Sequence, residues 1–203
     1  MSDDLRKPHH AYHHGNLREA VLAVARRAID QGAYETLSLR ELAKQAGVST
    51  NAPYRHFASK NEILAEVAAS GFRELTMRFE NFVEPNAKKR LIGLCDVYTE
   101  FAVSCPHLYR VMFGLERPGI WAFTDFPTLQ AAANAGFDRL LMATEAACAP
   151  AQLDPVELHK RANAIWSVVH GWARLTIDGM LDFQPHGVLP PASTIAAPII
   201  NAW

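Results

Sequence analysis

The stretch Ser38–Lys60, SLRELAKQAGVSTNAPYRHFASK, constrains this chain more than any other, because two short helix signals flank a glycine turn and a third helix start follows at once. Ser38 and Glu41 stand as S-x-x-E, the spacing at which a hydroxyl takes a first-turn N–H and the carboxylate reaches back to the cap. Leu39, Leu42, Ala43 and Ala46 then repeat at helical spacing. Gly47 is free to take the left-handed conformation that ends a helix sharply, and Val48 is the apolar residue that tucks the turn inward. Ser49 offers the next cap. A helix of barely two turns is expected to follow, carrying Thr50, Asn51, Tyr54, Arg55 and His56 as a polar face, with Phe57 closing inward. Ser59 and Glu62 repeat the S-x-x-E spacing, so a third helix opens with Lys60 in its first turn. The unit is suited to reading DNA.

Pro53 complicates the second helix, since it lacks an N–H and disfavours helical angles at Ala52. With Thr50 or Asn51 as the cap, the proline falls in the first turn at little cost. With Ser49 as the cap, the helix forfeits its first bond.

The order of these residues resembles the helix-turn-helix of the tetracycline-repressor (TetR) family. The family's Leu-Ala, Gly-Val-Ser, Tyr-x-x-Phe and following lysine stand here as Leu42-Ala43, Gly47-Val48-Ser49, Tyr54 to Phe57, and Lys60. Several unlike residue types at fixed offsets make the match specific. The resemblance implies an all-α protein, with an N-terminal three-helix helix-turn-helix domain and a larger helical C-terminal domain for ligand binding and dimerisation. It places the DNA-binding set at Ser38, Arg40, Ser49, Thr50, Asn51, Ala52, Tyr54, Arg55, His56 and Lys60. Arg40, Thr50, Asn51 and Arg55 are the candidates for base edges, arginine suiting guanine acceptors and asparagine suiting adenine. Tyr54 is either core or a phosphate contact, and the resemblance favours phosphate. Lys60 opposes the dipole at a helix start, which makes sense if its ammonium and the terminal N–H groups hold an anion together. His56 serves equally as a phosphate donor or a packing residue.

Charge supports a two-part chain. Residues 1–60 carry nine Lys/Arg against six Asp/Glu, and the remainder eleven against fifteen, so a basic head precedes an acidic body in a chain of formal net charge −1. With 203 residues, 49% hydrophobic and 20% charged, the composition is that of an ordinary globular protein able to bury a large core. Cys95, Cys105 and Cys148 are far apart, odd in number and set on apolar stripes, so they read as reduced thiols, and cytoplasm is the expected location. The N-terminus has no apolar h-region, and His170, Arg174 and Asp178 break the most apolar later run, so neither secretion nor membrane spanning is expected.

Residues 1–15, with Arg6, Lys7 and the pairs His9-His10 and His13-His14, read as a flexible arm that approaches DNA. Four histidines also admit a metal reading, but no cysteine or carboxylate closes a site, so no metal and no cofactor is expected. Residues 16–62 form the head. Asn16 and Glu19 open its first helix, whose face runs Leu17, Ala20, Val21, Val24, Ala25, Ala28, Ile29 to Gly32. Residues 63–203 form the body. The helix from Lys60 keeps Ile63, Leu64, Val67, Ala68, Phe72, Leu75 and Phe79 on one side and ends at Glu84-Pro85-Asn86. A stripe from Leu91 to Cys105 stops at Pro106, a short piece Leu108–Phe113 follows, and Gly114–Pro127 reads as a loop or broken helix. A helix resumes near Thr128 and ends at Pro150, and no run alternates like a strand.

Asp154-Pro155-Val156-Glu157 is a strong start for the longest C-terminal helix. Its apolar residues make two faces, so one side is core and the other needs a partner. The expected seam of a symmetric homodimer is Ile165, Val169, Trp172, Ala173 and Thr176. Trp166 and His170-Gly171, as W-x-x-x-H-G, resemble the motif of the WHG class of C-terminal domains in the same family. Phe101, Tyr109, Met112, Phe113, Phe126, Phe137, Trp166 and His170 are candidates to line an effector cavity, with plain core as the alternative. Gly187, Pro190, Pro191 and Pro198 break up the tail, leaving Ile199, Ile200 and Trp203 as a brief apolar end.

No Ser/His/Asp set, carboxylate pair or phosphate loop is visible, so catalysis is not expected. The reading is a ligand-responsive transcriptional repressor, released from a palindromic double-stranded operator by a small apolar or aromatic effector. Competing classes are a helical small-molecule-binding protein or enzyme with a vestigial head, and a metal sensor using the histidine arm.

Overall fold

The computed structural model describes residues 16–34, 36–114, 125–181 and 190–203, and among these the chain is all-α, with eight α-helices and no strand. It divides into two compact units, residues 1–63 and 64–203. The histidine arm and most of the Gly114–Pro127 segment lie outside the described residues.

In the first unit, α1 (Asn16–Asp30) packs on α2 (Leu39–Gln45) and on a 3₁₀ turn at Pro53–Arg55. The apolar stripe of α1 is its buried face: Leu17, Val21, Val24, Ala25, Ala28 and Ile29 meet Leu37, Leu42, Ala43 and Phe57 in one core. Ser38 caps α2, its Oγ accepting the Glu41 N–H at 3.1 Å. The Glu41 carboxylate turns to Gln45 Nε2 at 2.9 Å, so only half of the expected reciprocal box is made. Gly47 takes φ 70°, and its N–H reaches Lys44 O while Val48 N–H reaches Ala43 O. That paired closure satisfies two carbonyls at the end of α2 and turns the chain sharply.

The division between units falls within α3 (Lys60–Asn81). Ser59 Oγ accepts the Glu62 N–H at 3.2 Å, and Glu62 Oε2 accepts the Ala58 N–H at 2.6 Å, so this start is capped from both directions.

In the second unit α4 (Ala87–Ser104) is the central helix, touching α5 (Pro106–Met112), α6 (Pro127–Cys148), α7 (Pro155–Ile177) and α8 (Ala192–Asn201). Its burial of Leu91, Leu94, Cys95, Tyr98, Phe101 and Ala102 follows the predicted stripe. The cap of α7 is also as predicted: Asp154 Oδ1 accepts from Val156 N and Glu157 N at 2.9 Å each, with Pro155 at the first helical position.

The tail corrects the sequence reading, since residues 192–201 form a helix despite Pro198. Tertiary contacts hold it. Asp96 Oδ1 on α4 accepts the Ser193 N–H at 2.8 Å and so caps α8 from another helix. Ala192, Ala196 and Ile200 are buried, with α4 and α7 as the neighbouring helices. Trp203 gives its carbonyl to Lys88 Nζ at 3.2 Å and its ring to the Arg161 guanidinium at 5.2 Å.

Candidate functional site

The polar residues singled out in the first unit are presented outward. Ser38, Arg40, Ser49, Thr50, Asn51, Tyr54, Arg55 and His56 are exposed, and Ala52 and Lys60 half-buried. Tyr54 is 56% exposed, which excludes its core reading and leaves the hydroxyl free to reach a ligand. Phe57 is the inward aromatic, buried beneath the Arg18 guanidinium at 5.5 Å.

The segment carrying these residues differs from the expected two-turn helix. Thr50 and Asn51 lie in a turn, and only Pro53–Arg55 is helical, as 3₁₀. Pro53 supplies no N–H; Ala52 N bonds Ser49 O, Arg55 N bonds Ala52 O and His56 N bonds Pro53 O, each closing a three-residue turn, and Phe57 N adds a four-residue bond to Pro53 O. Ala52 is the cap and has φ −62°, ψ −43°, so the proline does not exclude helical angles there, contrary to expectation. Neither Thr50, Asn51 nor Ser49 acts as a side-chain cap of the turn. The Pro53 ring is buried, a core role that the spacing alone did not show. At the start of α3, Ser59 already occupies the Glu62 N–H, so the helix end is partly closed by the chain itself.

In the second unit a cavity of about 440 Å³ lies among α3, α4, α6 and α7. Its wall is Phe72, Leu75 and Phe79 of α3, Leu91, Leu94, Cys95 and Tyr98 of α4, and Phe113 just after α5. From α6 come Gln130, Ala133, Asn134, Gly136, Phe137 and Leu140, and from α7 Asn163, Ile165, Trp166 and Val169. Of the eight residues expected to line it, Phe113, Phe137 and Trp166 do. The others are placed differently. Phe101 is fully buried with Arg78 over its ring at 5.0 Å, and Met112 is core. Phe126 is half-buried at the start of α6, and Tyr109 and His170 stand outside the wall. Most of the wall that the sequence reading missed belongs to stripes it had read as core, because a cavity wall and a packed face have the same period. Gln130, Asn134 and Asn163 carried the available signal, as carboxamides on amphipathic helices otherwise turned inward.

Tyr109 and His170 form a polar cluster behind the wall. Tyr98 and Tyr109 hydroxyls are 2.9 Å apart, and His170 Nδ1 is 2.7 Å from Tyr109 and 3.0 Å from Tyr98. A consistent set of donors runs from Tyr98 to Tyr109 and from Tyr109 to a neutral His170 Nδ1. Burial raises both phenol pKa values. Burial first, and the Arg174 cation second, lower that of His170. Beyond it, Asp178 joins Arg110 at 2.7 Å and Arg174 at 2.9 Å, tying α5 to the end of α7.

The expected dimer seam is corrected by burial. Ile165, Val169 and Ala173 are at most 3% exposed within the single chain, and two of them line the cavity, so they face this chain's own core. Trp172 and Thr176 are half-buried, the Thr176 hydroxyl donating to Trp172 O at 2.9 Å. The outward residues of α7 include Lys160, Ala164, Ser167 and Leu175, with Gly171 half-exposed between them. Among the described residues no cluster of His, Cys, Asp and Glu could hold a metal, and no helix is long and apolar enough to cross a membrane.

A helix-turn-helix head with an outward polar strip, followed by a helical unit built around an apolar cavity, defines the class of DNA-binding transcriptional regulators. Two family models match: "Bacterial regulatory proteins, tetR family" over residues 21–67, and "Tetracyclin repressor-like, C-terminal domain" over residues 91–190. The chain belongs to the tetR family of bacterial regulatory proteins. A solved structure of a protein with unknown function from Rhodococcus sp. RHA1 is 31% identical, with 94% of this chain and 96% of that one covered and a TM-score of 0.74. Two more distant structures share the fold. FadR from Bacillus subtilis in complex with stearoyl-CoA is 13% identical, covering 90% and 95% at a TM-score of 0.66. AibR in complex with isovaleryl coenzyme A and operator DNA is 19% identical, covering 92% and 97% at 0.57. No curated protein matches the chain.

Proposed function

We propose that this regulator is a repressor that binds a palindromic operator as a homodimer and leaves it when a small apolar or aromatic effector enters the cavity of the second unit. The observation that carries the reading is the cavity itself: about 440 Å³ walled by aromatic and aliphatic side chains is a ligand site rather than a packing defect. AibR, crystallised with both a ligand and operator DNA, supports the pairing of the two functions on this fold. Arg40, Thr50, Asn51 and Arg55 are assigned to base edges, and Tyr54, His56 and Lys60 to phosphates, with Ser38, Ser49 and Ala52 positioning the surface. Residues 1–15, 16–62 and 63–203 are assigned as arm, head and effector-binding body. Trp166, His170 and Gly171 support a WHG-type body.

The dimer is assigned to the outward face of α7 with α6. Leu175 and Met142 are 44% and 58% exposed there, and a Cβ on Gly171 would meet nothing within 4 Å. Effector in the body shifts the spacing of the two heads, and a coupling of roughly 1–3 kcal/mol suffices for switching.

Selection of bound sites from a random DNA library tests the reading. A palindrome should emerge whose binding falls steeply with salt. Recovery of no preferred site, from a protein whose cavity still binds apolar probes, would favour the ligand-binding protein with a vestigial head.

A further inference from the structure

We propose that the cavity selects an uncharged, largely apolar ligand bearing a neutral hydrogen-bonding group, such as an alcohol, ketone, ester or amide, and rejects carboxylates, coenzyme A thioesters and ammonium ions. This rests on the effector reading of the same cavity and narrows it to a ligand class.

Among the described residues the wall contains no Asp, Glu, Lys, Arg or His. Its two titratable groups are neutral at physiological pH. Burial pushes the Cys95 thiol up to about 12, and burial also raises the Tyr98 phenol. Among the described residues the wall offers an ion no counter-charge, so an ion drawn into its apolar part gives up hydration without compensation, the costliest way to bury a polar group. The charges nearby are engaged elsewhere. His170 Nδ1 is held by the two tyrosine hydroxyls, and Asp178 bonds both Arg110 and Arg174. Arg174 keeps a buried Nη1 without a hydrogen-bond partner, but it lies outside the wall.

The hydrogen-bonding capacity of the wall is that of carboxamides. Gln130, Asn134 and Asn163 are exposed members of it, and each both donates and accepts without charge. The aromatic members bind one another rather than framing an open cage: Phe137 meets Trp166 edge-on at 6.0 Å, and Phe113 meets Phe72 edge-on at 5.3 Å. A cavity of about 440 Å³ is of the size that holds a small ligand rather than a whole coenzyme A moiety.

Calorimetry on the full chain with decan-1-ol, decanoate, decanoyl-coenzyme A and decyltrimethylammonium at neutral pH isolates charge at constant chain length. Decan-1-ol should bind about tenfold or more tightly than each charged probe. Ala133→Trp, which puts an indole into the cavity, should remove decan-1-ol binding. Asn134→Lys, at an exposed position of the wall, leaves folding intact and should raise decanoate affinity by about tenfold. A wild-type protein that binds decanoate, the thioester or the ammonium as tightly as the alcohol overturns the proposal, as does alcohol binding that survives Ala133→Trp in a folded protein. Because the binding is read without DNA, the two readings fail separately. A protein that binds decan-1-ol yet stays on its operator refutes the effector reading alone, and one released by decanoate but not by decan-1-ol refutes the ligand class alone.

Discussion

The tyrosine pair behind the cavity makes a quantitative prediction, because three polar atoms there share bonds that two could still make. Tyr109→Phe deletes the bonds to Tyr98 at 2.9 Å and to His170 at 2.7 Å, but the Tyr98 hydroxyl remains 3.0 Å from Nδ1 and can donate to it. One net bond is lost, at about 1 kcal/mol. Tyr98→Phe leaves the Tyr109–His170 bond in place and costs about the same. The double change leaves Nδ1 with neither tyrosine hydroxyl to donate to it, which adds the cost of an unsatisfied acceptor, about 1–3 kcal/mol. The pair should therefore lose about 4 kcal/mol where the single losses add to about 2, a coupling well outside the scatter of independent sites. Urea unfolding followed by indole fluorescence reads this directly, because all four tryptophans lie in residues 64–203. The midpoint should shift at constant slope. Single losses that add within about 0.5 kcal/mol would refute the shared-bond reasoning.

Lys60→Ala should weaken binding to all DNA sequences alike and make the salt slope shallower by about one unit, and an unchanged slope would remove Lys60 from the interface. Arg40→Ala or Asn51→Ala should relax preference at particular operator positions by about 1–3 kcal/mol, read by binding to a panel of single-base variants. His170 is held below its ordinary 6.5, so it is neutral in the folded chain while the unfolded chain protonates it. Its contribution is complete above about pH 6.5 and is lost as pH falls from there toward the lowered folded value, so His170→Gln should lessen the drop in melting temperature across that window. Ala164→Glu with Leu175→Glu should give a helical monomer by sedimentation with weakened operator binding, whereas Val169→Asp with Ala173→Arg should unfold the body because both positions are core.

What the sequence determined by itself is local. Caps at Ser38, Ser59 and Asp154, the left-handed Gly47 and the buried stripes of α1, α3 and α4 depend on groups within about four residues of one another, so spacing alone reveals them. Tertiary structure decided the rest. Pro53 sits buried in the core of the head, and the reading segment around it is a single 3₁₀ turn. The last helix exists because Asp96, about a hundred positions away, caps it. On α7 two apolar faces were legible, but the choice between them belongs to α4 and α6, which bury Ile165, Val169 and Ala173. The cavity is the plainest case. Phe72, Leu91 and Val169 would read identically in a filled core, since periodicity records which side of a helix is apolar and only the fit of several helices leaves space between those sides.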